Sequence, residues 1–173
     1  MPKKTPDRKT YNRGSVRPGP PPSPAETRAA GLRLLSRRDH SSQELARKLS
    51  RRGHPEASVQ AVLARFREAG WLDDAKFAQS VVRRRAPTRG PQAIASELHA
   101  LGIDRAVADE ALAAFAPDRQ LAMAIQMVER MYAVSAGAQA DLKARIGARL
   151  ARRGFPTAIV RAACRAVLDD PND

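Results

Sequence analysis

The side chains in this sequence that could do chemistry are overwhelmingly cationic. Arg47, Lys48, Arg51 and Arg52 are spaced to lie along one side of a helix, and Arg145, Arg149, Arg152 and Arg153 repeat the arrangement near the C-terminus. Arg83, Arg84, Arg85 and Arg89 form a further group between them. Guanidinium and ammonium groups spaced in this way engage phosphates or acidic protein patches through charge-assisted hydrogen bonds and counterion release. A solvated face in an arginine-rich protein would look the same, so both readings stand at this level. Catalytic combinations are missing. His40, His54 and His99 fall in different turns or helices without a recurring carboxylate or cysteine partner, and neither a Gly-rich phosphate loop nor a metal-ligand spacing occurs. Asp73 and Asp74 suit a helix cap better than a metal or an acid–base pair. The sequence predicts no enzyme, no cofactor and no metal.

The elements that must position these cations repeat. Aligned on a glycine, Leu45, Leu49, Gly53, Val59, Val62, Leu63 and Phe66 correspond to Ile94, Leu98, Gly102, Ala108, Ala111, Leu112 and Phe115. They correspond again to Ile146, Leu150, Gly154, Val160, Ala163, Cys164 and Val167. Ile94 follows Leu45 by 49 residues and Ile146 follows Ile94 by 52, the period of an array built from one supersecondary unit. Cys164 occupies a position held elsewhere by leucine and reads as a small buried hydrophobe. Around Leu45 and Leu49 the cations fill the opposite arc of the helix, and they do so again around Ile146 and Leu150. The middle copy carries Ser96, Glu97, Ala100 and Leu101 there, leaving two cationic surfaces flanking a nearly neutral one.

Each repeat reads as three helices. Residues 1–26 hold few large apolar groups and most of the prolines, with six Lys or Arg against Asp7 and Glu26; this is a disordered basic arm, either reaching a polyanion or only solubilising. The first unit spans 27–72: a helix from Thr27 with Leu32 and Leu35 inward, a second opened by a Ser41–Glu44 capping box and stopped by Gly53, and a third opened by Pro55. The second, 73–117, starts at the Asp73 or Asp74 cap with Phe77, Ala78, Val81 and Val82 inward. The third, 118–173, has a longer first helix with Leu121, Ile125, Val128 and Met131 inward, a small-residue linker over 135–140, and Pro156 repeating the Pro55 device.

Composition agrees with a polyanion partner. The 173 residues carry 31 Lys and Arg against 18 Asp and Glu, a net charge of +13. No apolar run approaches a membrane span, and the N-terminus is charged and proline-rich, which predicts a cytoplasmic protein. Closely spaced helices could also form a helix-turn-helix base reader, but the turn is a single glycine plus a cap and Asn and Gln are few. The aromatics, Tyr11, Trp71, Tyr132 and four Phe, mostly fall at inward positions and offer no stacking platform.

Leu72-Asp73-Asp74, Phe77-Ala78 and Arg83, followed by Gly90-Pro91, Ile94, Glu97-Leu98 and Gly102-Ile103, resemble the RecX family of bacterial recombination regulators. Ser41, Glu44-Leu45, Lys48-Leu49 and Gly53-His54 upstream, and Leu150 with Arg152-Arg153-Gly154-Phe155 downstream, fit the same pattern, so the resemblance covers about residues 28–170. The chain departs from the family at Val81, where an aromatic is usual near Val82, and at Ala100-Leu101, where a basic residue usually precedes the glycine. The resemblance implies an all-α protein of three tandem three-helix repeats in an elongated array. It implies a monomer that binds the RecA recombinase filament on DNA and restrains its ATPase and strand exchange. The residues alone reach a basic helical module that binds single- or double-stranded DNA weakly and salt-dependently, or a scaffold for another partner.

Overall fold

A computed structural model describes residues 20–133 and 139–168, and among them the structure is entirely helical. The first triplet is α1 (Pro24–Leu35), α2 (Ser42–Ser50) and α3 (Glu56–Glu68); the second is α4 (Asp74–Arg85), α5 (Pro91–Ala100) and α6 (Arg105–Ala113). The third is α7 (Pro117–Ala133), α8 (Gln139–Arg152) and α9 (Thr157–Leu168). Each triplet closes over its own core. Leu45, Leu49, Val59, Leu63 and Phe66 fill the first, Phe77, Ile94, Leu98, Ile103 and Phe115 the second, and Val128, Ile146, Leu150, Phe155 and Cys164 the third. The repeat positions on the middle helices, Leu45, Leu49, Ile94, Leu98, Ile146 and Leu150, are all buried.

Those middle helices stop by one device. Gly53, Gly102 and Gly154 take φ of 82°, 80° and 82°, a left-handed turn open to glycine at little cost. The amide that follows each of them reaches back to the core carbonyl of Leu49, Leu98 or Leu150. Ile103 and Phe155 then fold inward. His54 holds the same position in the first unit with its Nδ1 2.9 Å from the Thr27 hydroxyl, which ties the turn to α1.

Several local expectations are corrected. The arm is shorter than 26 residues, because α1 begins at Pro24 behind a capping box in which the Ser23 hydroxyl accepts from the Glu26 amide and the Glu26 carboxylate accepts from the Ser23 amide; the arm's residues 1–19 lie outside the described residues. The Ser41 box is half formed: Ser41 caps the Glu44 amide, while the Glu44 carboxylate turns to Arg38 and Lys48. Pro55 stands at the N-cap of α3 rather than in its first turn. The inward face of α7 centres on Ala124, Met127 and Val128, with Leu121, Ile125 and Met131 at its margins. Of the aromatics, the phenylalanines are inward, but Trp71 and Tyr132 are 50% and 45% exposed. The 135–140 linker falls largely outside the described residues.

The cap of α1 predicts a sharp boundary for truncation. Removing residues 1–19 leaves the melting curve unchanged, whereas removing 1–24 takes away the Ser23 cap and costs about 1 kcal/mol, read by chemical denaturation.

The triplets join end to end through their middle helices. Gly90 and Gln92, at the start of α5, donate amide hydrogen bonds of 2.8 and 3.1 Å to the Arg153 and Gly154 carbonyls at the end of α8. The start of α2 receives the end of α5 in the same sense: the Ser41 hydroxyl donates to the Leu101 carbonyl, and Gln43 packs over Gly102. The Ser42 amide donates 2.8 Å to Asp74 Oδ1. A helix start has unsatisfied N–H groups and a helix end unsatisfied carbonyls, with opposite dipole charge. Stacking α8, α5 and α2 head to tail satisfies part of both.

Candidate cationic interface

In the first unit the groove between α1 and α2 gathers positive charge. Leu45 and Leu49 turn inward, so Lys48, Arg51 and Arg52 flank the groove mouth. Arg37 and Arg38, just past α1, face them, with Leu34 and His40 completing an open cavity of about 460 Å³. Glu44 partly compensates this charge, binding Arg38 and, at 3.2 Å, Lys48. Burial alone would raise the Glu44 pKa, but the hydrogen bonds from Arg38 and Lys48 outweigh it and hold the carboxyl below its usual range. His40 is buried; its Nδ1 lies 2.9 Å from the Arg38 carbonyl and its Nε2 2.9 Å from Lys48 Nζ. A carbonyl only accepts, so Nδ1 carries the proton and Nε2 accepts from the ammonium. Desolvation and the neighbouring cations lower the His40 pKa, although its bond to the Arg38 carbonyl opposes them. Arg37, Arg51 and Arg52 have no ion pair among the described residues.

The third unit repeats the groove with less compensation. Arg145, Arg149 and Arg152 of α8 line a cavity of about 320 Å³ whose apolar wall is Met131, Leu142 and Ile146. Arg149 and Arg152 occupy the repeat positions of Lys48 and Arg51. Among the described residues no carboxylate lines this groove.

The second unit inverts the chemistry at one position. Glu97 stands where the flanking units have Lys48 and Arg149. Its Oε1 accepts from Arg85 Nε and Nη2 at 2.9 and 2.7 Å, and its Oε2 accepts from Arg89 Nη1 at 3.0 Å.

The remaining cations of the sequence groups go elsewhere. Arg47 does not join Lys48; its Nη2 donates 3.0 Å to the Ala100 carbonyl across the junction of the first two units. Arg153 likewise reaches the Thr88 carbonyl at 3.5 Å across the second junction. Arg84 bonds the Ser80 carbonyl of its own helix at 3.3 Å. Arg83 lines a more apolar groove with Val82, Phe115, Arg119 and Met123. Arg37, Arg38 and His40 were not among the predicted contacts; the cations just past the first helix, like Arg83 to Arg85 in the last turn of α4, were the available signal. Asp73 caps α4 through the Lys76 amide at 2.9 Å. Among the described residues no group of three or more His, Cys, Asp or Glu could hold a metal, and no helix is long and apolar enough to cross a membrane.

Comparison with known proteins resolves the ancestry of this scaffold. Residues 28–66 match the model of the first three-helix domain of RecX, and 73–112 match that of the second. Over 144 residues the chain is 42% identical to the regulatory protein RecX of Halorhodospira halophila, covering 83% of this chain and 89% of the relative. The chain belongs to the RecX family. The regulatory protein RecX of Stenotrophomonas maltophilia is 38% identical over 143 residues, with 82% of this chain and 85% of the relative covered. In three dimensions the chain superposes on the crystal structure of RecX from Lactobacillus salivarius with a TM-score of 0.75, at 21% identity and covering 83% and 96% of the two chains. A second RecX crystal structure superposes with a TM-score of 0.71 at 24% identity, covering 79% of this chain and 72% of the other. This family of regulatory proteins therefore supplies both the helical-repeat fold and a regulatory role.

Proposed function

We propose that this chain is a non-catalytic regulator that binds RecA filaments assembled on DNA and restrains RecA ATPase, recombinase and strand-exchange activity. The observation that carries the reading is membership of the RecX family across more than four-fifths of the chain. The architecture suits the task. An array joined end to end spreads many modest contacts along a filament instead of concentrating them in one pocket. Cations without an ion pair among the described residues, Arg51 and Arg52 in one groove and Arg149 and Arg152 in another, suit the polyanion that such a filament encloses. In this reading the protein acts as a cytoplasmic monomer, needs no cofactor, and meets its partner through Lys48, Arg51, Arg52, Arg145, Arg149 and Arg152. Arg47 and Arg153 contribute by fixing the units, and Arg83, Arg84, Arg85 and Arg89 lie along the same array.

The second reading is a DNA-binding protein that acts through phosphate contacts alone, favoured by the net charge of +13. DNA-dependent ATP hydrolysis and strand exchange by assembled RecA separate the two. A filament regulator suppresses both at or below one copy per recombinase subunit, and added bare DNA does not restore them. A competitor for DNA loses its effect once DNA is in excess, because it is diluted over free phosphates. Activity untouched at every ratio by a folded protein rules out both readings.

A further inference from the structure

We propose that Glu97 is a built-in anion that closes the middle unit's copy of a phosphate-binding groove, while the first and third units hold theirs open to the phosphodiester backbone of DNA. The first and third grooves lie between the first and second helices of their units; at the corresponding place in the middle unit Glu97 of α5, which shares its repeat position with Lys48 and Arg149, meets Arg85 at the end of α4 and Arg89 just past it. In the middle unit this carboxylate receives three hydrogen bonds of 2.7 to 3.0 Å from Arg85 and Arg89. A carboxylate bridging two guanidinium groups makes the contacts that a phosphate would make there. Among the described residues the third groove has no such carboxylate, and the side chains of Arg145, Arg149 and Arg152 have no hydrogen bond or ion pair there. In the first groove Glu44 occupies Arg38 and Lys48 but leaves Arg37, Arg51 and Arg52 available.

The cationic side chains of these grooves carry donors only; they pair with phosphate oxygens at any sequence, whereas among major-groove base edges only guanine offers such a donor two acceptors. Two equivalent sites on a tandem repeat match a ligand that is itself a regular row of charges. That favours nucleic acid over one irregular acidic patch on a protein. The inference shares with the proposed function the premise that the protein meets DNA, and it is independent of RecA.

The test is the salt dependence of binding to bare duplex DNA by the full chain, read by fluorescence anisotropy with helicity checked by circular dichroism. Each phosphate contact contributes about 0.9 to the slope of log affinity against log salt, which is on the order of tenfold in affinity at 0.1 M salt. Arg149→Gln with Arg152→Gln lowers the slope by about 1 to 2, as does Arg51→Gln with Arg52→Gln. Glu97→Gln, nearly isosteric, frees Arg85 and Arg89, raising the slope by about 1 to 2 and tightening binding. Arg85→Gln with Arg89→Gln leaves the slope unchanged in the wild-type background and cancels the gain in the Glu97→Gln background.

Arg161→Gln, at an exposed position on α9, serves as the control and changes the slope by much less than the groove variants. Glu97→Gln with unaltered affinity and slope overturns the proposal, and so does an Arg161→Gln effect as large as that of Arg149→Gln. A gain confined to poly-glutamate, used as an acidic-protein probe, also overturns it. Should Glu97→Gln perturb folding, the Arg85/Arg89 variant in the wild-type background decides alone, a fall in slope there refuting the neutralised groove. RecA is absent throughout, so the ATPase result and this one stand or fall separately.

Discussion

Truncating Leu49, Leu98 or Leu150 to alanine lowers the free energy of unfolding by about 2 to 5 kcal/mol. All three are completely buried, each in the core of a different unit. Removing three methylene-scale groups from a closed core loses their transfer energy and leaves a cavity that the helices collapse into only partly. Units of this size bury a smaller fraction of their surface than larger domains do and have little stability in reserve, so the loss is a large part of what holds each one folded. Leu121→Ala is the control. It sits at the margin of the third core rather than within it, and costs less than Leu150→Ala. Urea denaturation followed by circular dichroism measures both, and a Leu49→Ala or Leu150→Ala protein that melts like wild type would contradict the repeat alignment.

The second large effect lies at a glycine, and another glycine in the chain provides its own control. Gly53 and Gly154 share a φ of 82°, so alanine at either carries the left-handed cost of about 1 to 2 kcal/mol. They differ in what surrounds them. A Cβ on Gly53 meets nothing within 4 Å, whereas one on Gly154 would lie 2.3 Å from the Ala93 backbone nitrogen. Backbone cannot swing aside as a side chain can, so Gly154→Ala forces α8 away from α5. The Gln92 and Gly90 amide bonds to the Gly154 and Arg153 carbonyls are then lost. Gly53→Ala shifts the single melting transition modestly. Gly154→Ala splits off a separate, earlier transition of the third unit and exposes the Gly90 and Gln92 amides to hydrogen exchange. Equal behaviour of the two variants would mean that the junction contributes no coupling.

What the sequence by itself determined was the set of apolar stripes and glycine stops, which depend on near neighbours along the chain; the Ser23–Glu26 box that opens α1 is equally local but fell inside the predicted arm. Apolar spacing at Leu45 and Leu49, Ile94 and Leu98, and Ile146 and Leu150 implied three helices of one kind, since a helix with one apolar stripe must bury it. The glycines that end them were legible because a left-handed turn strongly favours that residue. The absence of a cationic middle helix was also visible, in Glu97 and Ala100.

Only the tertiary structure decided what each charged side chain meets. Arg47 and Lys48 are adjacent, but a helix turns about 100° between them. One falls at the junction with the second unit and the other at the groove, and periodicity along a single helix does not say where the neighbouring unit docks. Glu44 left its cap because Arg38, brought close where the chain passes from α1 to α2, joins Lys48, one turn along α2, in offering the carboxylate stronger partners than one amide. Asp74 met the Ser42 amide and Gly90 met the Arg153 carbonyl for the same reason. Helix ends carry unsatisfied groups whose partners can come from anywhere in the chain, and the fold alone brings these partners together.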